Sequence, residues 1–270
     1  MIVVVSPHLD DAVLSLPCWL ATREEEVVVL TVFSEGDASY AGRRAEDAAA
    51  LGVLGVRGEH MGLLDAPFRR GTEWSFRGLV LAELKAGDVD AAEVAAEIGE
   101  WVARLGAATV VLPLGVGEHI DHRVVHAAHA GISGRVGFYE DRPYAEIRQA
   151  VRARLARLGA LVNLAGSRAS AAAAAEFLAS AREAPYVRAY LPAEEREACL
   201  APLAEPLMSP AAPSGLRLTS EAFRFSAAQR DRAVRAVQVY ASQLADLFGE
   251  AEAVSAAYGE PYAERLYWRQ

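Results

Sequence analysis

The sequence predicts an α/β protein, a mostly parallel sheet with helices on both faces, followed by a C-terminal extension. Three observations predict it. Ile2-Val3-Val4-Val5 and Thr109-Val110-Val111-Leu112-Pro113 are apolar at nearly every successive position, as strands buried on both faces require. Between such runs, apolar residues recur at helical spacing. Strand and helix alternate through the first 140 residues, the pattern of parallel strands joined by crossover helices.

Ile2 to Val5 is the first strand. Asp10 to Thr22 follows as a helix, with Val13, Leu16 and Leu20 at helical spacing. Glu26 to Phe33, containing VVVLTVF, is the second buried strand. Arg43 to Leu54 is helical, and Gly55 is its stop because a helix C-terminus favours a left-handed residue. Val89 to Leu105 is a helix with Val94, Ile98, Trp101, Val102 and Leu105 on one side. Thr109 to Pro113 is the third buried strand, Asp121 to Ala130 is helical, and Val136 to Tyr139 is a short strand. In the second half, Ala150 to Arg182 has helical propensity, its alanine run at Ala171 to Ala175 included. Tyr186 to Leu191 and Leu216 to Leu218 are candidate strands, and Pro202, Pro206, Pro210 and Pro213 mark a loop-rich stretch. Ala227 to Phe248 reads as one amphipathic helix with Ala233, Val237, Tyr240, Leu244 and Leu247 in a stripe. The tail aromatics Tyr258, Tyr262, Tyr267 and Trp268 read as a docked tail. The organisation expected is a single domain over 1–270: residues 1–140 form the core that carries the site, and 141–270 a helical, loop-rich part that shapes the substrate entrance.

Composition excludes several classes of function. The 27 basic and 36 acidic residues leave a net charge of −9, the wrong sign for a nucleic-acid partner. A hydrophobic fraction of 53% excludes wholesale disorder. Cys18 and Cys199 make neither a zinc knuckle nor a disulfide framework and are expected as unpaired, structural thiols. No apolar stretch reaches the roughly 18–20 residues that span a bilayer. Met1 runs straight into a strand with no basic, leader-like start. A cytoplasmic protein with no membrane insertion is expected, with no oligomer specified. There is no G-x-G-x-x-G opening a helix after a strand and no phosphate-binding loop, so nucleotide-dependent chemistry loses its main support.

Ligands of a parallel sheet bind beyond the carboxyl ends of its strands. Ser6-Pro7-His8-Leu9-Asp10-Asp11 lies directly after the first strand. His8 and Asp11 could ligate one divalent cation there, a donor pair that suits zinc, leaving Asp10 to act on water. The alternative is that Asp10 or Asp11 merely caps the following helix. Gly117-Glu118-His119-Ile120-Asp121-His122 lies after the third strand and would complete a metal set of two histidines and an aspartate. A rival metal pair is His122 with His126, although the helical glutamate of a zinc-peptidase motif is missing; His126 and His129 read better as packing residues or as supports behind the ligands.

PHLDD (Pro7 to Asp11) together with HIDH (His119 to His122) resembles the paired motifs of the zinc-dependent N-acetylglucosaminyl deacetylases, the PIG-L/LmbE-like family. The likeness continues through Arg43-x-x-Glu46-x-x-x-Ala50-x-x-x-Leu54-Gly55, Asp65 and Tyr240-Ala-Ser-Gln243. Leu9 and Ala12 depart from the usual proline and glutamate, but neither supplies a proposed ligand. The resemblance implies a Rossmann-like (LmbE-like) fold. It implies Zn2+, or another divalent metal, on His8, Asp11 and His122, with Asp10 as general base and His119 as general acid or oxyanion stabiliser. It also implies that Arg43 and Asp65 help hold the sugar. PHLDDAVLS, LLDAPFR (Leu63 to Arg69) and YEDRPY (Tyr139 to Tyr144) look like the branch met in antibiotic and other secondary-metabolite pathways.

Chemistry agrees with that implication. Hydrolysis of an unactivated amide needs a nucleophile, a way to carry oxyanion charge and an acid for the amine. Three protein ligands leave zinc an open position for water, whose pKa can fall to about 7. Asp121 is expected either to orient a histidine from behind or to cap the helix that begins there. Asp37 and its neighbours read as pocket rim or a simple turn. Tyr139 to Arg142 resembles a wall of the family's site, with a salt-bridged surface as the alternative. The function expected is removal of an acetyl or acyl group from the amide nitrogen of a small-molecule aminosugar or glycosylated metabolite. The alternatives are the same centre acting on a non-sugar amide or thioester, and a non-catalytic binding protein. Segment 185–226 is expected to select the acceptor, as loops on a rigid scaffold often do.

Overall fold

The structure, a computed structural model, describes residues 1–84, 90–162 and 170–270. The strands are β1 (Ile2–Ser6), β2 (Val27–Glu35), β3 (Arg57–Leu64), β4 (Thr109–Pro113), β5 (Arg135–Tyr139), β6 (Leu161–Val162), β7 (Arg217–Arg224) and β8 (Ala263–Arg269). They form one sheet in the order β3-β2-β1-β4-β5-β8-β7-β6. From β3 to β5 every pairing is parallel, and β6 pairs with β7 in parallel as well. Only β8 runs antiparallel, between β5 and β7.

The helices of the first half are α1 (Asp11–Ser15), α2 (Pro17–Ala21), α3 (Tyr40–Leu54), α4 (Phe76–Val80), α5 (Ala91–Leu105) and α6 (Ile120–Ala127). Those of the second half are α7 (Ala150–Arg157), α8 (Ala171–Glu183), α9 (Pro185–Tyr190), α10 (Arg196–Ala204), α11 (Ala227–Val237), α12 (Ala241–Phe248) and α13 (Ala251–Ala257). Successive strand residues point to opposite faces, so each strand feeds two cores. Val3, Val5, Val28 and Leu30 pack with Ile98, Val102 and Val124 of α5 and α6, and with Phe177 and Leu200 of the second half. Ile2, Val4, Val27 and Val29 pack with Leu51 and Leu54 of α3 and with Val237 of α11. The sheet is thus covered on both faces, as the uniform apolar runs require.

Several expectations need correction. The helix from Asp10 to Thr22 is two short helices, because Pro17 starts a new one rather than continuing the first. Tyr186 to Leu191 is not a strand but lies largely in α9, where Pro185 takes the first helical position and Tyr186 and Val187 are buried. Pro202 lies inside α10, so the proline-rich stretch begins with helix rather than loop. The long amphipathic helix breaks after Val237 and resumes at Ala241, with Gly249 ending α12. Three strands had no forecast at all: β3 at one sheet edge, the short β6 at the other, inside a stretch expected as helix, and β8, which carries the supposed docked tail into the middle of the sheet. Helix α5 starts after Asp90, whose carboxylate accepts from the Ala92 amide at 2.8 Å. Val89, and the middle of the stretch from Ala150 to Arg182, lie outside the described residues.

Candidate metal centre and its cavity

Strand order reverses between β1 and β4, where a parallel sheet opens a crevice at its carboxyl edge. The His8–Asp11 segment leaves β1 there, and the loop from Leu114 to His119 leaves β4 beside it. Parallel pairing of β1 with β4 therefore brings the two motifs face to face.

Asp11 Oδ2 lies 3.0 Å from His8 Nδ1 and 3.2 Å from His122 Nε2, and it accepts the His8 amide at 2.8 Å. His122 Nε2 is fully buried without a hydrogen-bond partner. The far nitrogen of each ring is held by a carboxylate: His122 Nδ1 by Asp141 Oδ1 at 2.7 Å, and His8 Nε2 by Asp121 Oδ2 at 3.1 Å. Two rings fixed from behind, with their near nitrogens turned toward one carboxylate oxygen, form a donor set that fits a divalent ion. Two other groupings also come close enough to hold an ion: His8 with His119 and His122, and His8 with Asp65 and Asp121. In the second of these, Asp121 already accepts from the Ala66 amide and from Arg69. His126 turns away from the group, with Nδ1 2.9 Å from the Pro113 carbonyl oxygen and its ring against Phe138, so the rival pair His122/His126 is not brought together.

Asp10 occupies the N-cap of α1 but makes no capping bond, so the capping alternative is not realised. Burial pushes its carboxyl up to about 6, against the pull of Arg43, whose guanidinium is 3.7 Å away. Burial works against ionisation of Asp11 too, but the two histidines beside it hold its carboxyl well below the usual range. Burial disfavours a charged His122, yet Asp11 and Asp141 lift it to about 9. His119 caps α6, its Nδ1 accepting from the Asp121 amide at 3.3 Å, which corrects the expectation that Asp121 is the cap. That contact leaves the His119 proton on Nε2. Burial, and then His8, hold this imidazole down to about 3.

Both oxygens of Asp65 are engaged, Oδ1 with His8 Nε2 at 3.3 Å and Oδ2 with the Tyr40 hydroxyl. Arg43 bridges Asp10, Asp65 and Tyr40, donating to the Tyr40 hydroxyl at 3.0 Å. Glu46 accepts from the Ser242 amide at 3.0 Å, which joins the α3 motif to the Tyr240–Gln243 motif. Tyr240 in turn donates to Asp47 at 2.9 Å.

These groups lie beneath a cavity of about 400 Å³. Asp10, Asp11, His119, Arg43 and Asp65 line its polar floor. The second half of the chain contributes Pro143, Tyr144, Tyr186, Tyr190, Gln243 and Leu247 to its walls. Sequence reasoning missed Asp141, read as wall or surface. It is fully buried, and its Oδ2 also accepts the Gly115 and Val116 amides at 2.8 and 2.9 Å. The one available signal was its place at the carboxyl end of β5.

The chain is thus an α/β protein whose sheet is covered on both faces and whose switch point gathers two imidazoles and a carboxylate that could hold a metal ion. Residues 3–132 match the family described as PIG-L: GlcNAc-PI de-N-acetylase. It is 34% identical over 166 residues to the 2'-N-acetylparomamine deacetylase of Streptomyces fradiae, an alignment that takes in 55% of this chain and 59% of that protein. The chain thus matches about three-fifths of the length of that curated relative. Among solved structures, a deacetylase of teicoplanin biosynthesis is similar over 100% of this chain and 98% of its own, with a TM-score of 0.64 and 22% identity. The A40926 pseudoaglycone deacetylase Dbv21 is similar over 98% and 95%, with a TM-score of 0.57 and 23% identity. A teicoplanin deacetylase described as a zinc-inhibited form gives 0.64 at 21% identity, over 100% of this chain and 98% of that one. Likeness at this identity shows the shared fold.

Proposed function

We propose that this chain is a divalent-metal-dependent N-deacetylase that hydrolyses the acetamide of an aminosugar within a glycosylated metabolite, of the kind made in antibiotic biosynthesis. One observation carries the reading. His8 and His122 turn their near nitrogens to Asp11 while Asp121 and Asp141 hold their far nitrogens, and Asp10 stands beside them on a cavity floor. The donor set of two imidazole nitrogens and one carboxylate oxygen suits zinc. An ion on His8, Asp11 and His122 would also give the buried, unpartnered Nε2 of His122 its missing contact. When bound there, the ion supplies Lewis acidity and lowers the pKa of water.

The chain's own residues do the rest. Asp10 takes the proton of the attacking water and returns it to the departing amine. His119, with its proton on Nε2, donates to the amide oxygen as that oxygen gains charge. Arg43 holds Asp10 in place and, with Asp65, lines the sugar's seat. Residues 141–270 shape the entrance, and the whole chain acts as one domain. The named activities of the relatives support an aminosugar amide as the substrate.

The test is acetate release from an N-acetylated aminosugar glycoside by purified protein of measured metal content. Added zinc and cobalt are varied separately, because one fold relative is described as zinc-inhibited. Acetate released in proportion to one bound metal per chain is the result expected. Full activity in chelator-stripped protein would overturn the reading.

A further inference from the structure

The cavity's polar floor continues outward along an aromatic ladder. Tyr40, which donates to Asp65, meets Phe68 edge-on at 5.6 Å, and Phe68 meets Trp74 in the same way at 5.6 Å. Room for the ladder is made at Gly36, where a Cβ would stand 2.8 Å from the Phe68 ring and closer still to Tyr40. Trp74 itself is held between two fixed neighbours. Ser75 accepts from the Gly78 amide at 3.0 Å to cap α4 and donates to Glu73 at 2.9 Å, and a side chain at Gly78 would run into Glu73.

Trp74 is nevertheless 66% exposed, the most exposed large hydrophobic side chain among the described residues. Tyr190, 52% exposed, stands on the same cavity and is anchored by its hydroxyl on Asp246 at 2.5 Å. Two anchored aromatics, from opposite halves of the chain, thus present ring surface to solvent at the mouth of a site whose floor is polar. Among the described lining residues the one basic side chain besides histidine is Arg43, already committed to Asp10, Asp65 and Tyr40. Among the described residues no free cation lines the mouth to receive a phosphate.

We propose that Trp74, with Tyr190, is a specificity-determining subsite for the ring attached to the acetamido sugar. It takes the apolar face of a neutral or cationic ring and disfavours a phosphate-linked one. This rests on the deacetylase reading for the position of the acetamide, and it adds which residues hold the ring attached to that sugar and what charge on the ring they favour. Aromatic platforms favour such faces through dispersion and the ring quadrupole, and cationic groups more so.

The experiment compares acetate release from N-acetylglucosamine, from its glycoside with an aminocyclitol ring, and from its glycoside with a phosphorylated cyclitol. In the unaltered protein, kcat/KM should rank the aminocyclitol glycoside first. Trp74→Ala should lower the ratio of aminocyclitol glycoside to monosaccharide roughly five- to tenfold, through KM, and Trp74→Phe should restore most of it. A ratio unmoved by Trp74→Ala, or a preference for the phosphorylated glycoside, would overturn the proposal. Tryptophan emission gives a second readout that needs no turnover. The deacetylated aminocyclitol glycoside should shift it saturably in the unaltered protein but not in Trp74→Phe, and an equal shift in both would also overturn it. If no substrate releases acetate, the deacetylase reading fails, and the emission titration still decides whether Trp74 binds the ring.

Discussion

Asp141 Oδ1 stands 2.7 Å from Nδ1 of His122, on the side of the ring facing away from Asp11. The same carboxylate ties down the Gly115 and Val116 amides, so one buried side chain sets both the loop after β4 and the tautomer of His122. In Asp141→Asn the side-chain carbonyl must face those two amides, which turns the NH2 toward Nδ1. The His122 proton then moves to Nε2, the nitrogen the metal needs. We predict a loss of metal affinity of roughly 10- to 100-fold with little loss of folding. Equilibrium dialysis against a competing chelator measures it, and unchanged affinity would remove His122 from the ligand set.

The loop that presents His119 is held from α7. Glu118 adopts a left-handed backbone, φ 63°, and is buried, with Oε2 2.9 Å from Arg154 and Oε1 3.3 Å from Arg157. Arg154 also donates to the Leu114 carbonyl at 2.9 Å. Removing the arginine in Arg154→Ala leaves the buried Glu118 carboxylate only the exposed Arg157 and frees the Leu114 carbonyl, and should cost about 3 kcal/mol. Glu118→Gly suits the left-handed backbone, and the buried Arg154 that it deprives of a carboxylate keeps its bond to the Leu114 carbonyl, so it should cost less. Denaturant unfolding of both variants checks the order, and equal costs would show that the ion pair does not secure this loop.

Glu264 of β8 accepts the Cys18 and Trp19 amides at 2.9 and 2.7 Å and the Tyr262 hydroxyl at 2.7 Å, which pins the start of α2 to the central sheet. Burial outweighs these donors and lifts its carboxyl to about 7. A folded value above the unfolded one of about 4.5 means that the folded state holds the proton more tightly. The stability this contributes is fully present below pH 4.5 and is lost as pH rises through 7, about 3 kcal/mol over the window. Glu264→Gln removes that pH dependence and turns an amide NH2 toward backbone donors, so it is destabilised at every pH. Melting curves from pH 4.5 to 8 should show the gap between the two proteins narrowing as pH rises. A constant gap would contradict the account.

The fold and the site were legible in the sequence to different depths. β1, β2 and β4 announce themselves because strands buried on both faces carry almost no polar residue. The convergence of His8, Asp11, His119 and His122 was readable because each motif follows directly on such a strand. β8 was not readable: its sequence AERLYWR alternates charged and aromatic residues like a surface segment, and its partners β5 and β7 are remote in sequence. β3 is a half-exposed edge strand interrupted by Gly58 and Gly62, so its apolar pattern is faint. Asp141 carries no spacing signal, and only the folded chain brings it behind His122. Likewise, no local pattern says that Trp74 ends a ladder begun at Tyr40.

The central claim is that adjacent aspartates divide the labour, Asp11 holding the metal and Asp10 moving the proton. The most direct measurement is metal content and acetate-release rate, side by side, in Asp10→Asn and Asp11→Asn. The account predicts that Asp10→Asn keeps one metal per chain while turnover falls about 10²–10⁴-fold, because an amide cannot take the proton from water. It predicts that Asp11→Asn loses both metal and activity. An Asp10→Asn protein that turns over normally, or that comes without its metal while Asp11→Asn retains it, would contradict the assignment.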